Sequence, residues 1–207
     1  ANRGGVMKII ELVAVVFGIL SVWFASRESI RVFPTGIINV LLFIYIFFIA
    51  RLYANAGINV LYLITNIYGW YNWSRKIDDK NVLEISRTTA RQNTYIILFA
   101  AVFYISVLLL LRWYNKSDLT YVNSYVPWMD AMNSSLFLCA TILMTKKKME
   151  NWIFWILGNV ISIPITISQG LYMTSFQYLV FLFLAISGCW RFLVAKRSRR
   201  GRIGYLA

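Results

Sequence analysis

Seven apolar blocks divide this chain, near residues 9–25, 35–52, 56–73, 95–112, 128–145, 152–172 and 175–191. Each is about as long as the roughly 17–25 residues a helix needs to cross about 30 Å of hydrocarbon. Two longer polar stretches, 74–93 and 113–126, flank the fourth block. Two blocks are not uniformly apolar. In W-I-F-W-I-L-G-N-V-I-S-I-P-I-T-I-S-Q (152–169), Trp152, Trp155, Asn159, Ser162, Thr166 and Gln169 recur every three or four residues, which puts them on one face of a helix. The third block repeats the pattern with Asn55, Asn59, Tyr62, Asn66, Trp70 and Trp73. An amide turned toward lipid at mid-depth is costly, so both faces are expected to look into a helix bundle. Pro164 should bend its span and free backbone carbonyls there.

Two plainer readings of these stripes compete. The tryptophans lie near span ends, where aromatic belts meet the headgroups. The amides could serve as contacts between helices, worth about 0.6 kcal/mol each in a membrane. Finding both patterns on one face of two helices favours a binding surface.

The chain also carries a weak internal correspondence. At an offset of 120, Phe17 falls on Phe137, Arg27 on Lys147 and Asn39 on Asn159; at 119, Tyr53 meets Tyr172 and Gly69 meets Gly188. Blocks one to three thus match blocks five to seven, with block four between them. A shift of four helices preserves direction, so the copies are parallel repeats. The expected architecture is all-α: a polytopic membrane protein of seven transmembrane helices arranged 3+1+3. Residues 1–73 form the first repeat, 74–126 the linker with the fourth helix and an external loop, 127–195 the second repeat and 196–207 a basic tail. Transporters built from such repeats hold substrate near the midplane between them.

Composition supports this reading. Of 207 residues 59% are hydrophobic and only 14% charged, too little polar surface for a soluble protein of this length. The net charge of +13 could suggest a nucleic-acid partner, but its placement decides otherwise. One side of the expected bundle collects sixteen Lys and Arg, at positions 27, 31, 75, 76, 80, 87, 91, 146–148, 191, 196, 197, 199, 200 and 202. The other has five, at positions 3, 8, 51, 112 and 116. The positive-inside rule then puts the C-terminus in the cytoplasm and the N-terminus outside, with the tail held to lipid headgroups and no nucleic acid bound. The sequence opens A-N-R-G-G-V-M-K without an initiator Met, so further native residues are expected upstream.

The chemistry of the stripes narrows the cargo. Aromatic walls stack on flat rings and attract cations; amides and hydroxyls bind sugar hydroxyls and carboxamides. There is no histidine, both cysteines (Cys139 and Cys189) read as apolar filler, and no carboxylate pair lies within the spans. No metal site, no cofactor and no enzymatic activity are therefore expected. Of eight acidic residues only Glu11 and Asp130 lie in or beside a span end, and no ATP-binding motif is present, so uncoupled transport is the default.

N-I-Y-G-W-Y-N-W-S-R (66–75), W-I-F-W-I-L-G-N (152–159) and Q-G-L-Y-M-T (169–174) resemble the PnuC family of bacterial vitamin transporters, and the likeness runs over nearly the whole chain. That resemblance implies a 3+1+3 plan related to the SWEET sugar transporters, assembled as a homotrimer in the bacterial inner membrane. It implies facilitated diffusion of nicotinamide riboside into the cell, with trapping afterwards by cytoplasmic phosphorylation. It also implies a nicotinamide ring sandwiched by aromatics and a ribose held by amides. Carried over by position, the binding residues are Trp152, Trp155 and Asn159, followed by Asn39, Tyr62, Asn66 and Trp70, with Gln169 completing the stripe. Thr166 stands where a tyrosine or another large residue is expected. Relatives carry riboflavin or thiamine, so another ring-containing vitamin is the alternative cargo. A heptahelical sensor is the rival class, although residues 175–190 hold no lysine for a retinal Schiff base.

Overall fold

Hydropathy builds helices wherever it is continuous. The structure, a computed structural model, describes residues 3–50, 53–75, 85–168 and 172–204. They form α1 (Arg3–Ser26), α2 (Val32–Ile49), α3 (Tyr53–Ser74), α4 (Ala90–Tyr114), the single turn α5 (Leu119–Val122), α6 (Val126–Thr145), α7 (Asn151–Ser168) and α8 (Tyr172–Gly204). Within the described residues, each of the seven apolar blocks is helical almost throughout. The polar stretch 113–126 contains α5 and the first residue of α6, and α8 continues into the basic tail. Among the described residues, three helices are long and apolar enough on their own to span a membrane: α1 from Gly5, α2 and α4. Helices α7 and α8 carry shorter apolar windows.

Packing closes six helices into a ring. Helix α1 packs on α2, α2 on α3, α3 on α6, α6 on α7, α7 on α8, and α8 back on α1. Helix α4 stands outside the ring against α6, where the Ser135 hydroxyl donates to the Ala100 carbonyl at 2.8 Å. Its far face is apolar and exposed through Val102, Ile105 and Leu109, as are Leu12, Ile64 and Phe183 around the ring. Such surfaces suit lipid, where backbone bonds are satisfied inside each helix and the outer side chains need no water.

The α1–α2 and α6–α7 turns are built alike. Glu28 and Lys147 are the two non-glycine residues with positive φ, 55° and 47°, among the described residues. The N–H groups of Glu28 and Ser29 donate to the carbonyls of Ala25 and Phe24; those of Lys147 and Lys148 donate to Met144 and Leu143. These bonds satisfy carbonyls that a helix end leaves unpaired. Every matched pair is 119 apart, and α3 and α8 start 119 apart as well, at Tyr53 and Tyr172. The uninterrupted helices leading into each turn carry the same register. The offset of 120 expected over the first two helices is therefore corrected to 119. The sequence identities at 120 do not mark equivalent positions.

A plug closes the ring at the end bearing these two turns. Ala25, Val32, Phe33, Trp73, Met144, Met149, Trp152 and Ala185 form one buried cluster drawn from the α6–α7 turn and all six ring helices. Trp73 ties α3 to α6: its indole N–H donates to the Met144 and Thr145 carbonyls at 3.2 and 3.1 Å, and Phe33 meets it edge-on at 5.0 Å. The Lys147 ammonium sits 4.4 Å over the Trp73 ring. The segment before α4 straps across the same end. The Ser86 N–H donates to the Lys147 carbonyl, the Met149 N–H to the Ser86 carbonyl, and the Thr88 N–H to the Glu150 carboxylate. Trp73 is thus part of the closure, buried and hydrogen-bonded, and not a headgroup belt.

Candidate functional site

The ring encloses a cavity of about 460 Å³ to which all six of its helices contribute. That lies within the roughly 300–1,000 Å³ typical of small-molecule sites. Along α1 it is lined by Glu11, Val15, Gly18, Val22 and Ala25, one stripe at helical spacing. From Ala25 to Glu11 the stripe runs about 21 Å at 1.5 Å per residue. At the Ala25 end the cavity floor is the plug, with Val32, Met144 and Trp152 all buried. At the other end Glu11 is exposed and Phe43, Phe47 and Asn59 are half-buried. The cavity therefore opens toward the start of α1.

Five of the eight residues expected from sequence line this space: Asn39, Tyr62, Asn66, Trp152 and Trp155. The Asn39 amide N–H donates across to the Ala14 carbonyl of α1 at 2.6 Å. The Tyr62 hydroxyl donates to the Ser134 carbonyl of α6 at 3.3 Å. The Asn66 amide N–H returns to the Tyr62 carbonyl of its own helix at 2.8 Å. Its amide oxygen lies against Gly36 of α2, where a Cβ would come within 2.7 Å. Trp152 packs its ring against Gly188 of α8, as Phe33 does against Gly69, each pair 119 from the other.

Asn159 is wholly buried in the wall one turn beyond Trp155. Its amide N–H donates to the Trp155 carbonyl, and its amide oxygen has no partner among the described residues. Ser162 and Thr166, next along the stripe, are buried and donate back to the Gly158 and Ser162 carbonyls of their own helix. This back-bonding is how hydroxyls settle inside apolar helices.

Trp70 is placed apart from these residues. It is 44% exposed and lies off the cavity. The inward stripe of α3 runs Asn59, Tyr62, Asn66, Gly69, Trp73, so the step after Asn66 is three residues and not four. One residue further turns the side chain by about 100° to the outer face. Gln169 lies outside the described residues.

Sequence reasoning missed the contribution of α8. Gln177, Tyr178 and Phe181 line the cavity, and Phe137 of α6 joins them. Phe137 packs on Trp155 at 5.3 Å and on Tyr178 at 6.3 Å, and Tyr178 meets Phe181 edge-on at 6.5 Å. The aromatic wall is thus four rings deep. A signal for it existed: in the register of 119, Tyr178 and Phe181 are the counterparts of Asn59 and Tyr62. The carboxylates Glu11 and Asp130 are counterparts too. Asp130, however, accepts a hydrogen bond from the Tyr121 hydroxyl at 3.3 Å and is absent from the cavity lining. Burial, with the Asp130 charge beside it, pushes the Tyr121 hydroxyl above its ordinary range. No Lys or Arg is among the described residues lining the cavity. No cluster of metal-ligating groups occurs among the described residues.

The profile of the nicotinamide mononucleotide transporter family matches residues 8–193. The chain belongs to this family. A relative from Escherichia coli (strain K12), described as nicotinamide riboside transporter PnuC, is 32% identical over 93% of this chain and 88% of its own length. The riboflavin/roseoflavin transporter RibM of Streptomyces davaonensis is 23% identical over 86% of this chain and 81% of its own length. A solved structure, described as the vitamin B3 transporter PnuC, matches with a TM-score of 0.67 at 21% identity. It covers 91% of this chain and 86% of its own, and shares the fold. Members of the nicotinamide mononucleotide transporter family are transporters, so this chain is a membrane transporter and not an enzyme.

Proposed function

We propose that this protein carries nicotinamide riboside across the bacterial inner membrane, through the cavity enclosed by the six-helix ring. The observation that carries the proposal is the lining itself: aromatic rings, amides and one carboxylate, without a described Lys or Arg. The family description names a mononucleotide, but a phosphate in a low-dielectric cavity needs Arg or Lys to pair it. A riboside needs only stacking walls and partners for its hydroxyls and carboxamide. Trp152 and Trp155, with Phe137 and Tyr178 beside them, supply the walls; Asn39, Tyr62 and Asn66 supply polar groups. Asn159, one turn along α7, donates to the Trp155 carbonyl and lies off the cavity lining.

The matched turns support reading the chain as two parallel three-helix repeats joined by α4, with seven spanning helices in all. The sixteen-to-five distribution of basic residues supports a cytoplasmic plug and a cavity open to the periplasm. The exposed apolar faces of the ring and of α4 belong against lipid and, in the homotrimer implied by the family resemblance, against neighbouring copies. Transport is passive, since no carboxylate lies at mid-depth.

Uptake into proteoliposomes tests this directly. Labelled nicotinamide riboside should equilibrate without an ion gradient, outcompeted by itself and not by nicotinamide mononucleotide, riboflavin or thiamine. Accumulation above equilibrium that collapses with a protonophore, or preferential uptake of another vitamin, would overturn it.

A further inference from the structure

The cavity carries a single charged side chain among its described lining residues, Glu11. It sits six residues, about 9 Å, inside the apolar span that begins at Gly5. An ionisable group at that depth is disfavoured unless it faces a polar space, and its usual reason is a charged passenger. Glu11 shares the inward stripe with Val15 and Gly18, so it points into the passage and not into lipid. The counterpart carboxylate in the other half, Asp130, is hydrogen-bonded to Tyr121 outside the cavity lining. Glu11 makes no hydrogen bond or ion pair with another described residue. Glu11, at the open end, and Trp155 line the same cavity.

We infer that Glu11 selects cargo by charge, drawing a cationic ring into the open end of the cavity and rejecting anions of the same shape. This rests on the reading that nicotinamide riboside is the cargo. Its ring nitrogen carries a fixed positive charge that the aromatic wall attracts only at short range, within about 6 Å of a ring centroid. A carboxylate acts over a longer distance. Two unit charges about 10 Å apart, in surroundings between protein-like and aqueous, change affinity by roughly two- to tenfold. A phosphorylated ribose would meet the same carboxylate with the opposite sign. Selection is thus split between the two ends of the site. Glu11 reads charge, and Trp155 with Phe137 and Tyr178 reads the flat ring.

The test compares two cargos of nearly the same shape, the cationic riboside and its uncharged 1,4-dihydro form, on purified wild-type protein and on Glu11→Gln and Glu11→Asp. Glu11→Gln should weaken the cationic riboside roughly two- to tenfold and leave the dihydro form within experimental error. Glu11→Asp, which keeps the charge, should restore most of the loss. The wild-type preference for the cation should also shrink as salt rises, and that of Glu11→Gln should not. An equal loss for both cargos would overturn the inference in favour of a shape or folding role, and unchanged binding of both would overturn it outright. If the wild type binds neither form, the cargo assignment itself fails, which is a separate result.

Discussion

The Trp155 ring is shared between packing and the cavity wall. One part packs on Phe137 at 5.3 Å, and the remainder contributes to the cavity wall. Replacing it with alanine should remove a stacking surface worth on the order of 1–3 kcal/mol, roughly a ten- to hundredfold loss of affinity for nicotinamide riboside. Trp155→Phe should recover part of that, since a smaller ring still meets both the ligand and Phe137. Calorimetric titration measures the affinity, and thermal unfolding of the same samples reports the fold. A drop in melting temperature with affinity unchanged would make Trp155 a packing residue only. Residue-scale legibility was uneven here. Trp155 was visible because it repeats at helical spacing with other polar and aromatic positions. Phe137 was not, because a phenylalanine in an apolar block looks the same whether it faces lipid, a neighbouring helix or a cavity.

At the scale of elements, close approach between helices is set by where glycine stands. Gly69 and Gly188 give room to Phe33 and Trp152, and a methyl group on Gly188 would come within 2.5 Å of the Trp152 ring. Trp152 cannot yield easily, being 1% exposed and held in the buried cluster of the plug. Gly188→Ala should therefore destabilise the protein by about 1–3 kcal/mol through overpacking. Gly57 of α3 makes the control, since nothing lies within 4 Å of its added methyl group. Gly57→Ala should be neutral, or stabilising by up to about 1 kcal/mol from the better helix propensity of alanine. Thermal unfolding in detergent distinguishes them; equal behaviour of the two variants would refute the packing argument. The glycine pair was noticed in the sequence as an identity at 119, but its large partners, Phe33 and Trp152, differ in type and left no matching letter.

For the whole molecule, the ring, the plug and the charge distribution make one statement about orientation. The plug end carries the turns with Arg27, Arg31 and Lys146 to Lys148, so it should face the cytoplasm, and the open end the periplasm. A C-terminal fluorescent-protein fusion should be bright, and a C-terminal alkaline-phosphatase fusion inactive. The reverse pair of results would invert the topology. It would also make the state seen here inward-open, with the cavity discharging toward the start of α1.

Sequence alone determined that the chain is helical and bound for a membrane, because a helix that satisfies its own backbone is the cheapest way to place 59% hydrophobic residues in lipid. It also marked the inward-facing positions of α3 and α7, Trp70 excepted, since a polar side chain in hydrocarbon leaves a periodic mark. What only the tertiary structure decided was the closure of two helix triplets into one ring and the extension of the register of 119 to the first two helices of each triplet. The same holds for the position of Trp70 outside the ring and the part played by α8 in the site. The reason is geometric. Periodicity fixes a direction around one helix axis, but a drift of a single residue moves a side chain by about 100°, and only the neighbouring helices say which side is the inside. Glu11 shows the same limit. Its charge could be read at once, yet its meaning came from the cavity it opens into.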